Sequence, residues 1–156
     1  MFDVNLKLDI GCGDIPTGDI NCDLFIGESP HLRGRYIDQK TIPNFIRCDA
    51  NYLPFRDKIF SESFCSRVIE HKGVNAIKVI KEMIRVTKRK ITVIVPHRFS
   101  PERKMHDKYF NVTSIFRLFK KMGLNPRIET KYRYLPSIFV TLIRLPAEIK
   151  VEALLK

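Results

Sequence analysis

Leu8-Asp9-Ile10-Gly11-Cys12-Gly13 closes a segment that alternates polar and apolar residues from Asn5 to Ile10 and opens into two glycines one residue apart. The pattern predicts a short strand, Asn5 to Ile10, running into a loop where glycine lets the backbone approach a ligand closely. Outward from it, Asp19 to Leu24 is a second strand candidate. Asn44 to Cys48, entered through Pro43, is a third, and Ser63 to Ser66 sits in a fourth. Ile91 to Val95 reads Ile-Thr-Val-Ile-Val, a run suited to a strand covered on both faces, as in a parallel sheet.

Helical patterns lie between and after these strands. In Val74 to Lys88, Ile77, Ile80, Met83 and Ile84 recur at helical spacing, with Lys78, Lys81, Glu82 and Arg85 on the other faces. In Thr113 to Met122, Ile115, Leu118, Phe119 and Met122 form a second stripe, with Asn111 or Thr113 as its cap and Gly123 at its end. Strands alternating with helices predict an α/β fold: a Rossmann-like, mostly parallel sheet with helices on both faces. Tyr132 and Tyr134 suit a late strand. Ile138 to Leu145 is apolar apart from Arg144 and suits a docked helix; the alternative is an interface for a second subunit, as in a homodimer, or a membrane surface. A short helical end is expected at Ala147 to Leu155.

The 156 residues favour one domain, with 1–97 as its ligand-binding half and 98–156 as the opposing loop and C-terminal elements. Hydrophobic residues make up 44 % of the chain, which argues against disorder. No apolar run approaches the roughly 20 residues of a membrane helix, and the start does not read as a signal peptide, so the default location is cytoplasmic. Cys12, Cys22, Cys48 and Cys65 form no C-x-x-C pair and read as reduced, buried thiols; no metal site is expected. The formal net charge is +11, with dense groups at Lys88-Arg89-Lys90, Arg98 to Lys108 and Lys120-Lys121. A solvated surface accounts for this charge, and so does attraction to a polyanion such as RNA, DNA or an acidic membrane.

The glycine loop alone fits several cofactors. A dinucleotide site wants a third glycine at position 16, where this chain has Pro16. Asp9 and Asp14 would repel a diphosphate yet suit an ammonium or sulfonium group. Asp23, ending the second strand, can accept hydrogen bonds from two ribose hydroxyls. Asp49, ending the third, can accept from an adenine amine. S-adenosylmethionine carries all of these groups. The stretch Leu8 to Gly13 resembles the first motif of class I, Rossmann-like S-adenosylmethionine-dependent methyltransferases. Gly18 to Leu24 resembles the acidic second motif. Cys48-Asp49-Ala50 with Leu53-Pro54-Phe55 resembles the D-A-x-x-L-P-F segment. Phe60 through Val68-Ile69-Glu70-His71 resembles the segment that ends in E-H, and Glu82 to Val86 resembles the helix before the fifth strand.

That resemblance covers residues 6–97. It implies that Asp9, Gly11, Cys12 and Gly13 line the methionine side of the cofactor, with Ser66 beside them. Asp23 would hold the ribose, Leu24 would lie against the adenine, and Asp49 and Ala50 would flank its edge. Two departures stand out. Nine residues, Gly11 to Asp19, join the first two strands, whereas a parallel crossover usually needs about a dozen or more. The first helix must therefore shrink to about one turn. Ser61 also stands where the family usually has aspartate.

Methyl transfer asks the protein to align an acceptor and exclude water. His71 and His97 are the candidate acid–base or acceptor-contacting residues; His106 lies in the next loop and His31 far from the motifs. Arg67 would pair with Glu70 or bind an anionic substrate. With the first strand expected almost at the start of this sequence, the family's N-terminal cap helices are not expected over the pocket and Arg98 to Phe110 is the expected lid, so an uncovered, positively rimmed pocket that suits a large or anionic acceptor is expected. Two other readings stand beside a methyltransferase: a catalytically silent module of this fold that binds RNA or a partner protein, and a different nucleotide-binding α/β enzyme.

Overall fold

The computed structural model describes residues 5–28, 36–100, 107–135 and 143–155. Its main sheet has seven strands in the order β5-β2-β1-β6-β7-β9-β8. These are β1 (Lys7–Ile10), β2 (Ile20–Asp23), β5 (Phe45–Arg47), β6 (Phe60–Ser66), β7 (Thr87–Pro96), β8 (Arg127–Leu135) and β9 (Ile143–Leu154). A separate two-stranded ribbon pairs β3 (Gly27–Glu28) with β4 (Tyr36–Ile37). The pairs β1–β2, β1–β6, β2–β5 and β6–β7 are parallel, and β9 runs antiparallel between β7 and β8. The sheet is mostly parallel and packed with helices, as the strand–helix alternation predicts.

The two described helices fill the crossovers to the right of β6. Asn75 caps α1 (Ala76–Val86) by accepting from Lys78 N–H at 3.2 Å. The inward stripe Val79, Ile80, Met83 and Val86 is buried against Ile91, Val93 and Val95 of β7. The helix passes straight into β7 without a loop, and the Lys58 ammonium donates to Ile84 O and Thr87 O at 2.9 Å each. A cation thereby satisfies the last-turn carbonyls. In α2 (Val112–Lys121), Asn111 and Ser114 form a reciprocal capping box, and Ile115 and Phe119 are fully buried.

The alternation along β7 differs from the expected strand covered on both faces. Ile91, Val93 and Val95 are fully buried; on the other face Thr92 is buried, whereas Lys90 and Ile94 are half-buried. On that second face the ladder is polar: Thr92 stands opposite Glu152 and Ile94 opposite Lys150, with the ion pairs Lys90–Glu62 at 3.1 Å and Lys150–Glu152 at 3.0 Å.

The C-terminus corrects the sequence reading. Ala147 to Leu154 is the body of β9, not a helix. Glu148-Ile149-Lys150-Val151-Glu152-Ala153 alternates strictly, and Ile149, Val151 and Ala153 are buried. A period of two places one apolar side chain per pair on the core face, and this outweighs the helical propensity of Ala, Glu and Lys. Of the apolar segment Ile138 to Leu145, residues 143–145 belong to β9 and the rest lies outside the described residues. No helix among the described residues is long and apolar enough to cross a membrane.

The short first crossover is built without a helix. One turn, closed by Ile15 N–H donating to Cys12 O at 3.3 Å, replaces it. Asp9 Oδ2 accepts from both the N–H and the hydroxyl of Thr17 at 2.8 Å. Asp19 Oδ2 accepts from Lys7 N–H at 2.8 Å, and buried Asn21 exchanges hydrogen bonds with both backbone groups of Gly18 at 3.0 Å. A Cβ on Gly18 would stand 2.6 Å from Ile20 O and 2.8 Å from Asp9 N, so the return path fits only glycine.

Candidate functional site

Successive connections leave β1 toward β2 on one side and β6 toward β7 on the other. In open α/β sheets, ligands bind at the carboxyl ends of the strands at such a divergence. A cleft of about 690 Å³ lies there, within the range of small-molecule sites. Its wall contains every residue the sequence assigned to a cofactor: Asp9, Gly11, Cys12, Gly13, Asp23, Leu24, Asp49, Ala50 and Ser66. They come from the ends of β1, β2, β5 and β6, up to 57 positions apart in sequence. His71 also lines the cleft, and His97 is not among its lining residues.

Gly11 shapes the floor. It has φ +69°, and a Cβ there would lie 2.2 Å from Val68 Cγ2. Its N–H and that of Cys12 donate to Cys22 O at 2.8 and 3.1 Å, which pins the loop to β2. Asp23 fastens the loop from the other side: Oδ2 accepts from Gly13 N–H and Oδ1 from Phe25 N–H, each at 3.0 Å. A carboxylate has about four acceptor positions, so this anchoring leaves capacity for further donors. Asp49 Oδ1 accepts from Asn51 N–H and Nδ2 at 2.8 Å, and Asn51 Oδ1 accepts from Asn75 N–H at 2.8 Å. Asn51 thereby locks the β5 end to the start of α1. The sequence reading missed it, although Asp-x-Asn after a strand is an Asx-turn signal.

Electrostatics follow burial. Asp9 is 2 % exposed, and desolvation raises its carboxyl pKa against the opposing pull of its Thr17 bonds and Lys7. The Cys12 thiol is pushed up to about 12, first by burial and then by Asp23 and Asp9. Cys22 is raised by its hydrogen bond to Cys48 and by burial, and Cys65 by burial and then Glu70. These three thiols stay protonated at neutral pH. No group of three or more metal-ligating side chains occurs among the described residues.

The segments resembling the D-A-x-x-L-P-F and helix motifs prove to be one clamp. Glu82 Oε2 accepts from Leu53 N–H at 2.8 Å. Arg85 donates to Leu53 O, Phe55 O, Asp57 and Glu82 at 2.7 to 2.9 Å. Ser61, at the family's aspartate position, is buried and donates to Asn5 Oδ1 at 3.0 Å.

Arg67 corrects one expectation. Its guanidinium pairs with Glu148 of β9, with Nε at 3.1 Å and Nη2 at 2.5 Å from Oε1, and not with Glu70. The residue lies on the cleft wall with φ +57°, where the chain turns sharply off β6. His97 is buried; its Nδ1 accepts from Phe99 N–H at 3.3 Å, and burial followed by Arg98 lowers its pKa. His31, His106 and residues 101–106 of the expected lid lie outside the described residues.

No protein-family model matches the chain, and no curated protein matches it. Solved structures do. An S-adenosylmethionine-dependent methyltransferase of Thermotoga maritima superposes with a TM-score of 0.68 at 17 % identity, over 96 % of this chain and 82 % of that one. One from Methanosarcina mazei gives 0.63 at 16 % identity, over 96 % and 92 %. One from Mesorhizobium loti gives 0.59 at 12 % identity, over 99 % and 93 %. The chain has the class I, Rossmann-like methyltransferase fold.

Proposed function

We propose that the chain binds S-adenosylmethionine in this cleft and transfers its methyl group to an anionic acceptor. The observation that carries this reading is the convergence of acidic and glycine residues from four strand ends on one cleft, in a fold shared with methyltransferases. The missing side chain at Gly11 lets Val68 pack directly against the loop and so shapes the floor on which an extended ligand would lie. Four carboxylates on the wall, Asp9, Asp14, Asp23 and Asp49, suit a ligand with a sulfonium, an ammonium and hydroxyl donors, and disfavour a diphosphate.

When bound, the cofactor supplies a methyl carbon already activated by its sulfonium, so alignment and exclusion of water fall to the protein. Asp23, pre-oriented by Gly13 and Phe25, would take the ribose hydroxyls, and Leu24 would lie against the adenine with Asp49 and Ala50 at its edge. Asp9, Gly11, Cys12, Gly13 and Ser66 would hold the methionine part. His71 would face the acceptor as base or contact. The Phe99 N–H bond at His97 Nδ1 leaves the proton of a neutral ring on Nε2, so His97 would present a donor. Lys72 on the wall would attract the acceptor's negative charge.

Isothermal titration with S-adenosylmethionine and S-adenosylhomocysteine tests the proposal. Binding of both is expected, and Asp23→Ala should weaken each at least tenfold without lowering the melting temperature by more than a few degrees. Absence of binding by the parent chain overturns the reading. Cofactor affinity unchanged in Asp23→Ala overturns the site assignment.

A further inference from the structure

From Lys108 to Arg127 the chain carries five basic residues and no acidic one. The fold sets the start of this stretch beside the mouth of the cleft. Lys108 docks on the rim, its backbone N–H donating to Glu70 O at 3.2 Å and its ammonium to Val74 O. Arg98 N–H donates to Phe110 O at 2.8 Å, so the exit of β7 and the start of α2 run side by side.

Three aromatic rings are exposed on these two segments: Phe99 at 52 %, Tyr109 at 47 % and Phe116 at 41 %. The inward stripe of α2 is already supplied by Ile115 and Phe119, so the core makes no use of Phe116. Each Phe ring carries a cation. The Arg98 guanidinium lies 4.8 Å from the Phe99 centroid, and the Lys120 ammonium lies 5.9 Å from that of Phe116. Arg117 and Lys121 are exposed on the same helix. Among the described residues, none of the three cations of α2 is paired with a carboxylate.

We propose that this surface binds single-stranded nucleic acid, with bases stacking on Phe99 and Phe116 and phosphates held by Arg98, Arg117, Lys120 and Lys121. Isolated exposed rings interleaved with cations match what unpaired bases and their backbone require. A duplex hides its base faces and offers phosphates alone. An acidic membrane is the other anionic surface, but insertion needs a broad apolar helix face. Outward, α2 shows Val112 and Phe116 among Thr113, Ser114 and the cations Arg117, Lys120 and Lys121. The placement at the rim leads an acceptor strand toward the cleft; that consequence rests on the methyl-transfer reading, whereas binding to the surface does not.

Fluorescence anisotropy on the full chain tests this, with labelled 20-mer oligouridylate, 20-mer oligothymidylate and a 20-base-pair DNA duplex. Both single strands should bind at least fivefold more tightly than the duplex, and a difference between them separates RNA from DNA. Four phosphate contacts predict a slope of log K against log salt of roughly −3. Phe116→Ala should weaken single-strand binding about tenfold and leave the slope unchanged. Lys120→Gln with Lys121→Gln should reduce the slope by roughly 1.4. Melting temperature and S-adenosylhomocysteine affinity, equal to those of the parent, show that each variant is folded. If Phe116→Ala melts early, Phe116→Tyr and Phe116→Leu replace it, and the proposal requires that Tyr keep the affinity and Leu lose it. Equal affinity for duplex and single strands, or full affinity in Phe116→Ala, overturns the proposal. So does sedimentation with phosphatidylserine vesicles in the absence of oligonucleotide binding. Loss of cofactor binding by the parent chain would overturn the methyltransferase reading and leave this one standing.

Discussion

Replacing Gly11 by alanine separates two costs that coincide at the floor of the cleft. The first is conformational: φ is +69°, and an L-residue held in the left-handed region loses about 1–2 kcal/mol. The second is steric, because the new Cβ would lie 2.2 Å from Val68 Cγ2. The residues overlap, so Val68 must leave its rotamer or the loop must lift, at about 1–3 kcal/mol. Together these give about 3 kcal/mol. For a chain of this length each kcal/mol moves the melting temperature by about 2–4 °C, so Gly11→Ala should melt about 6–12 °C below the parent. Circular dichroism during heating measures this. The double variant Gly11→Ala with Val68→Ala removes the clash but not the backbone cost, so it should cost less, relative to Val68→Ala, than Gly11→Ala costs relative to the parent. The reasoning is refuted if Gly11→Ala melts within 2 °C of the parent, or if the Val68 background makes no difference.

Two further outcomes follow from the geometry. Arg85→Ala removes the donors that hold Leu53 O, Phe55 O, Asp57 and Glu82; for a side chain one-third exposed, about 2 kcal/mol is expected, or a fall of about 4–8 °C by calorimetry, and a shift under 1 °C would discredit the clamp. Asp9 has a folded pKa raised above 3.8, so the native state binds more protons than the unfolded chain just above that pH. Its contribution to stability therefore falls as pH rises from 3.8 through the folded pKa and is level beyond it. Asp9→Asn keeps an acceptor for Thr17 and abolishes that slope; urea unfolding across this pH range that shows the same slope in both chains would contradict the assignment.

Much of the fold was legible because burial leaves a period in the sequence. The stripes of α1 and α2 appear within two residues of their predicted bounds, and the β-branched run Ile91 to Val95 lies inside β7, which starts four residues earlier. The C-terminal strand is legible too, in the alternation Glu148 to Ala153, which outweighs the helical composition of that segment. The cleft residues were legible as a set because strand-end acids recur in order along the chain. Their supports were harder to see. Asn51 and Arg85 act on partners 22 to 32 positions away, and no local pattern announces such pairings.

By itself the sequence determined the types of the main-sheet strands and helices up to Lys121, though not the β3–β4 ribbon, together with the glycine loop and the acids at the ends of β1, β2 and β5. These are consequences of local periodicity and of which residues tolerate a turn or end a strand. The tertiary structure decided what no local signal contains. It closed a nine-residue crossover through Asp9, Asp19 and Asn21, gave Arg67 to Glu148 across 81 positions, and inserted β9 antiparallel between β7 and β8. It also set the exit of β7 beside the start of α2, through Arg98 N–H and Phe110 O. Such arrangements depend on which distant groups meet when the sheet forms, and meeting is a property of the packed chain.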